Sequence, residues 1–236
     1  MISKRILVLA NSTKHHPMRC VAGREVLDEA GGRRRWGSWI RPVSSHDEGA
    51  LHAGERRLTD SAEPKPLDLV QAPLTVPENN PLQPENWLVD PNGAWTKETS
   101  ADPQALLPLV EKPESLWSDP AQKNDRASGG FLQRLPSHQS LYLIRPEAFH
   151  FHIRSRVWEG YAKKQQRGLF TYRGRHYDFA VTDPVIGQKY FPDYPRTSEG
   201  YIQPADPQRI LLCVSLTPPF HELHYKVIAT VFEVPA

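Results

Sequence analysis

RILVLANSTKHHPMRCVAGREVLDEAGGRRRWGSWIRPVS, residues 5–44, opens on one apolar run and closes on another. After Arg5 the run to Ala10 is continuously apolar, which reads as a strand buried on both faces. Residues 11–17 are a polar loop ended by Pro17. Residues 19–26 set Cys20, Ala22, Arg24 and Val26 against Arg19, Val21, Gly23 and Glu25, a strand pattern in which one face carries polar groups. Residues 28–35 (DEAGGRRR) turn the chain, and residues 38–44 (SWIRPVS) read as a third strand, edged or bulged at Pro42. Between the two runs lie Asn11, Ser12, Lys14, His15, His16, Arg19, Cys20 and Arg24, a concentration of groups that grip ligands or do chemistry.

Working outward, residues 66–74 (PLDLVQAPL) form a fourth strand, and four strands in under 80 residues suit a small barrel. The segment 77–125 reads differently: Pro84 starts a short helix through Trp87, residues 104–110 form another with Leu106, Leu107 and Leu109 or Val110 inward, and residues 114–117 make a helical turn. Residues 120–138, with Gly129-Gly130 and few apolar side chains, read as a linker. Strands come next at 139–144, 148–154, 168–172, 176–181, 209–216 and 224–234, with Arg173-Gly174 as a hairpin turn. Ile40-Arg41-Pro42 recurs as Ile144-Arg145-Pro146, a weak internal echo. The chain carries 23 prolines, roughly twice the usual share of about 5%, and no long segment has helical periodicity. The fold class expected is therefore mainly β.

Net charge is +2, but the charges are segregated. Residues 1–60 hold 11 Lys and Arg against 7 Asp and Glu, residues 61–125 hold 4 against 11, and residues 126–200 hold 12 against 6. Two basic segments flank an acidic one, so the overall balance hides a basic face unless the segments interleave in space. Cys20 and Cys213 stand far apart, which argues against a zinc ribbon and a disulfide scaffold. The first apolar run is too short for a signal peptide or a membrane span, so the chain reads as a soluble cytoplasmic protein with no membrane partner.

The motifs ANSxK followed by RCVAG (residues 10–23), WIRPVS (39–44), LDLV (67–70), QPENW (83–87) and SLxxPF with YKVIA (215–229) resemble the bacterial dual OB-containing domain family. The resemblance spans residues 7–231. It implies two packed OB-like barrels that bind nucleic acid or nucleotides in a bacterial defence setting. With the strand count, it gives a first barrel over 1–76, a helical connector over 77–137 and a second barrel over 138–236.

The candidate ligand-binding residues are Asn11, Ser12, Lys14, Arg19, Arg24, Trp39, Arg41, Arg173, Lys189 and Tyr190. Asn11, Ser12 and Lys14 either surround a phosphate or make an Asn/Ser turn with a solvated lysine. Arg19, Arg24, Arg33, Arg34, Arg35 and Arg41 with Trp36 and Trp39 form a basic and aromatic set suited to stacking single-stranded bases, or else residues 33–35 are a solvated loop, with core the favoured reading for Trp39. Lys163, Lys164, Arg167, Arg173, Arg175, Lys189 and Tyr190, with Tyr172 and Tyr177, form a second such set or a solvated hairpin. Cys20 is a candidate nucleophile with His15 or His16 as base, or a small buried side chain. His150/His152 and His221/His224 lack an evident third metal ligand, so no metal site or cofactor is expected. Phosphate-loop, dinucleotide and hydrolase-elbow motifs are missing. The leading reading is a binding module for nucleic acid, single-stranded in preference, or a nucleotide. An enzyme using the polar site at 11–20 and a protein–protein adaptor are the alternatives.

Overall fold

The computed structural model of the chain describes residues 2–31, 33–136, 138–158, 161–192 and 199–235, with side chains at 156–158 and 161–163 outside the description. The apolar run becomes the middle of β1 (Ile2–Thr13), where Ile6, Leu7, Val8, Leu9 and Ala10 are all buried. A strand apolar on both faces needs neighbours on both edges, and β1 pairs with β2 (Arg19–Asp28) on one side and β4 (Asp68–Pro77) on the other. β3 (Arg34–Val43), β5 (Asn86–Val89) and β6 (Thr96–Ser100) complete a sheet of order β1-β2-β3-β5-β4-β6. Because β1 also pairs with β4, five strands close on themselves. β3 and β5 run parallel, and the other pairs are antiparallel. This is a five-stranded barrel of OB type. Its interior holds Ile6, Val8, Val21, Ile40, Val70, Ala72, Leu74 and Val89, with Leu51, Leu58 and Trp95 packed among them.

The second sheet is built from β7 (Arg126–Ser128), β8 (Leu141–Ile144), β9 (Ala148–Trp158), β10 (Tyr161–Tyr172), β11 (Arg175–Val181), β12 (Gly200–Ile202), β13 (Ile210–Phe220) and β14 (Leu223–Glu233). Its order is β12-β9-β10-β11-β14-β13-β8, with β7 on β14. The path β9-β10-β11-β14-β13 repeats β1-β2-β3-β5-β4, including a parallel pairing of its third and fifth strands, β11 and β14. In both, a helix comes after the third strand: α1 (Ala53–Arg56) after β3 and α3 (Pro184–Tyr190) after β11. Asp183 starts α3 by accepting from the Val185 and Ile186 amides, and its second oxygen accepts from Val231, tying the helix to β14. Arg173 and Gly174 both take positive φ, the two-residue turn that suits hairpin twist. The chain divides into two compact units, residues 1–109 with 136–141 and residues 110–135 with 142–236. The mainly β expectation and the two OB-like units hold.

Several local expectations are corrected. Pro84–Trp87 is no helix: Asn86 and Trp87 open β5, which bridges β3 and β4. The segment at 104–110 is a 3-10 helix, Pro103–Leu109, with Leu106 and Leu109 buried but Leu107 40% exposed. Residues 114–117 make no helical turn. The supposed linker at 120–138 holds β7 and α2 (Gly129–Leu132), with Ala127 and Leu132 buried. The third strand starts at Arg34, inside the supposed turn. Ile40-Arg41-Pro42 lies on β3 but Ile144-Arg145-Pro146 ends β8, which has no counterpart in the repeated order, so the echo marks no duplication. Among the described residues no helix is long and apolar enough to cross a membrane.

A better mark of the repeat is a glycine on each second strand. A Cβ on Gly23 would sit 2.0 Å from the Leu7 carbonyl oxygen, and one on Gly168 would sit 2.4 Å from Ile228 Cδ1 and 2.9 Å from the Phe149 ring. At both places the first or fifth strand approaches the second too closely for a side chain. Gly23→Ala and Gly168→Ala are each expected to cost about 3 kcal/mol or more in urea unfolding. Gly54→Ala, in α1 with nothing within 4 Å of the added carbon, is expected to stay within about 1 kcal/mol of the parent.

Candidate functional site

The candidate residues of the first unit gather on β1, β2 and β3. Register places Thr13 opposite Arg19, Ser12 opposite Cys20, and Arg24 opposite Trp39. Val21 and Ile40 point into the barrel, so alternation puts Cys20, Ala22, Arg24, Trp39 and Arg41 on its outer face. That face is covered over much of its area: Ser12, Ala22, Trp39, Arg41 and Val43 are all buried.

Protein groups engage these side chains. Lys14 Nζ donates to the Glu48 carbonyl at 2.6 Å and pairs with the Glu48 carboxylate at 3.3 Å. Asn11 donates to the Pro64 carbonyl at 2.7 Å. Arg19 donates to Thr13 Oγ1, while its buried Nε has no acceptor among the described residues. Arg24 Nε donates to the Gly37 carbonyl at 2.9 Å, and its guanidinium lies over the Trp39 ring at 5.7 Å. Arg41 is 6% exposed and donates to Ser140 Oγ at 2.9 Å beside Glu85 Oε1 at 3.2 Å. Ser140 in turn donates to Glu85. Burial pushes the Cys20 thiol up, against the lowering charges of Arg41 and Lys14, so the thiolate a nucleophile needs is disfavoured.

In the second unit, Arg173 is exposed and donates to the Lys112 and Pro113 carbonyls at 3.2 and 3.4 Å. Lys189 Nζ pairs with Glu233 at 2.6 Å, and the Tyr190 hydroxyl donates to the same carboxylate at 2.7 Å. Within the second unit, Arg173 lies on the β10–β11 hairpin and Lys189 and Tyr190 lie on α3. The side chain of Lys163 lies outside the described residues.

A different constellation sits on the polar face of β9, β10 and β11. Phe149, Phe151, Ile153, Phe170, Tyr177 and Phe179 are buried on the apolar face. The opposite face carries His150, His152 and Arg154 from β9, Arg167 from β10 and Asp178 from β11, with Arg167 directly across from His152 and Leu169 across from both His150 and Asp178. Lys123, Asp125, Arg126, Arg154, Arg167 and Asp178 line a cavity of about 370 Å³ at this face. Arg167, 4% exposed, donates from Nε to Asp178 at 2.7 Å and from Nη2 to Asp125 at 3.3 Å. Arg154 Nη1 reaches the other Asp178 oxygen at 2.8 Å, and Arg126 Nε reaches Asp125 at 2.8 Å with its guanidinium 4.9 Å from the Tyr225 ring. Burial opposes ionisation of Asp125, but the hydrogen bond and charge of Arg126, with Arg167, outweigh it and hold the carboxyl below its ordinary range.

Beside this cavity, Tyr201 of β12 pairs with His152 and stacks on its ring, centroids 4.5 Å apart at 12°, while remaining 67% exposed. Burial lowers the His152 pKa, so its imidazole is a flat neutral ring at neutral pH. Sequence reasoning placed Arg167 in a basic stretch and His150/His152 on one strand face as a possible metal pair. It missed Arg154, the next member of that same alternation, and it missed Tyr201, which only the β9–β12 pairing brings near.

Lys226, on the apolar side of β14, is almost wholly buried and donates to the Asn124 carbonyl at 2.9 Å. Burial depresses its pKa from 10.5 to about 8, partly offset by Asp125 and Asp119. Between those two pH values the unfolded chain holds a proton that the folded chain has released. Stability is therefore expected to rise by about 3 kcal/mol as pH goes from about 8 to 10.5, and Lys226→Met should abolish that rise in urea unfolding followed against pH. Arg41→Ala leaves Glu85 buried and unpaired, and is expected to cost about 3–5 kcal/mol in the same assay.

A comparison with curated proteins finds no match. The model of the dual OB-containing domain family matches residues 4–231, nearly the whole sequence and both sheets. Given that match and the repeated five-strand order, the chain belongs to the dual OB-containing domain family.

Proposed function

We propose that this OB-fold module binds single-stranded nucleic acid, and that the polar face of β9, β10 and β11 receives it. The observation that carries the reading is the exposed Tyr201 ring stacked on neutral His152, next to Arg154 and the cationic cavity. A strand needs a π surface for its bases and cations for its phosphates, and here the two lie side by side. The strand-facing surface of an OB barrel is its second and third strands, which are β10 and β11 in this unit. The first-unit residues Lys14, Arg19, Arg24 and Arg41 serve this reading less well, because carbonyls, carboxylates and hydroxyls of the same unit already engage them.

Fluorescence anisotropy with labelled single-stranded and duplex DNA and RNA at two salt concentrations tests the proposal. Single strands are expected to bind more tightly than duplexes, with affinity falling as salt rises. Tyr201→Ala is expected to weaken binding by about 1–3 kcal/mol, roughly 5- to 150-fold. The Tyr201 ring is mostly in solvent, so its loss leaves the unfolding curve in place. No binding at micromolar protein, or full binding by Tyr201→Ala, removes the support for this face.

A further inference from the structure

We propose that the cavity at 123–126, Arg154 and Arg167 is a site for a terminal phosphate, the dianionic monoester at a strand end or on a mononucleotide. The proposal deepens the single-strand reading and rests on it for the strand-end case.

The charged side chains form one alternating chain: Arg126, Asp125, Arg167, Asp178, Arg154. Each carboxylate bridges two guanidiniums, so both acids are charge-paired, and the row ends in a cation on either side. Lys123, exposed at the rim, adds a fourth cation. Among the described residues, four cations against two carboxylates leave the lining at +2. Among the described residues Arg126 donates only through Nε and Arg154 only through Nη1, so the remaining N–H groups of each are left for an acceptor. Tyr225 beneath the Arg126 guanidinium fixes its plane.

A surplus of positive charge held in a half-enclosed, partly buried site is unfavourable until an anion joins it. An internal phosphodiester brings a single negative charge. A phosphate monoester, whose second pKa is about 6, brings close to two at neutral pH and offers three acceptor oxygens. The monoester is therefore the group that balances the lining. The volume of about 370 Å³ falls at the lower end of small-ligand pockets, enough for a phosphate with its sugar. Bases 5′ or 3′ to it would lie toward the Tyr201–His152 stack on the same face.

The test compares one labelled oligonucleotide carrying a 5′-phosphate, a 3′-phosphate or hydroxyls at both ends, at fixed salt and pH 7.5, with a nucleoside 5′-monophosphate and inorganic phosphate as competitors. One phosphorylated end is expected to bind about tenfold more tightly than the hydroxyl-ended strand, and the monophosphate is expected to displace it. Lys123→Ala and Arg126→Gln should each erase that increment, and Lys123, being exposed, carries the test if Arg126→Gln unfolds. Equal affinities for all three ends, with no displacement by the monophosphate, overturn the site while leaving single-strand binding intact. Binding of the monophosphate, sensitive to Lys123→Ala, by a protein that ignores oligonucleotides would uphold the site and reject the strand. Competition by inorganic phosphate as strong as by the monophosphate would uphold a bare phosphate site and reject the nucleotide.

Discussion

The first barrel depends on β1. Its central residues are apolar on both faces, and such a strand finds no stable place at the edge of an open sheet. Pairing with β2 on one edge and β4 on the other resolves both demands at once, because it satisfies the backbone groups and closes the barrel over the inward face. Closure then fixes the register of the neighbouring strand. The pairing slips by one residue between Val8 and Ala10, which lets Val8 face inward opposite Gly23 while Ala10 faces outward opposite Ala22. Gly23 is the residue that such an approach tolerates, since any Cβ there would strike the Leu7 carbonyl.

Closure also explains why the most chemically rich stretch of the sequence is so fully engaged. Drawing β1, β2 and β3 together places Arg19 next to Thr13 and Arg24 next to Trp39, while the parallel β3–β5 pairing brings Glu85 to Arg41. An unpaired buried guanidinium costs far more than an exposed one, so a cation on a covered face has to find such partners.

Much of the fold was legible, because long apolar runs bounded by turn residues read as strands and the Arg173-Gly174 turn announces its hairpin. β5 was not legible: four residues after a Pro-Glu pair resemble a helix start, and the pairing with β3 and β4 that makes them a strand is non-local. β7 hid in the same way, as three residues among glycines and charges whose strand partner is the distant β14. The site was half legible. Lys14, Arg41, Lys189 and Arg167 are visible as charges, but Glu48, Glu85, Glu233 and Asp178, which decide what those charges do, are distant in sequence. Tyr201 gave no signal because nothing local marks which strand it will lie against.

The two units carry one topology with differently balanced charges, and the arginine networks show how. On the first barrel's outer face, Arg41 is set against one carboxylate and one hydroxyl of the described residues, Glu85 and Ser140, and with Glu85 it makes a charge-balanced pair. On the corresponding face of the second unit, Arg167 is equally buried but is one of three guanidiniums around two carboxylates, and the excess positive charge faces a cavity. A closed pair adds rigidity and needs nothing more. A row that ends in cations holds its arginines in place by the same bridges, yet leaves further N–H groups of Arg126 and Arg154 without an acceptor among the described residues. Rigid donors beside a ring stack lose little freedom when an anion arrives. That difference in charge balance, with the fold held constant, is what leads the single-strand proposal to favour the second unit over the first.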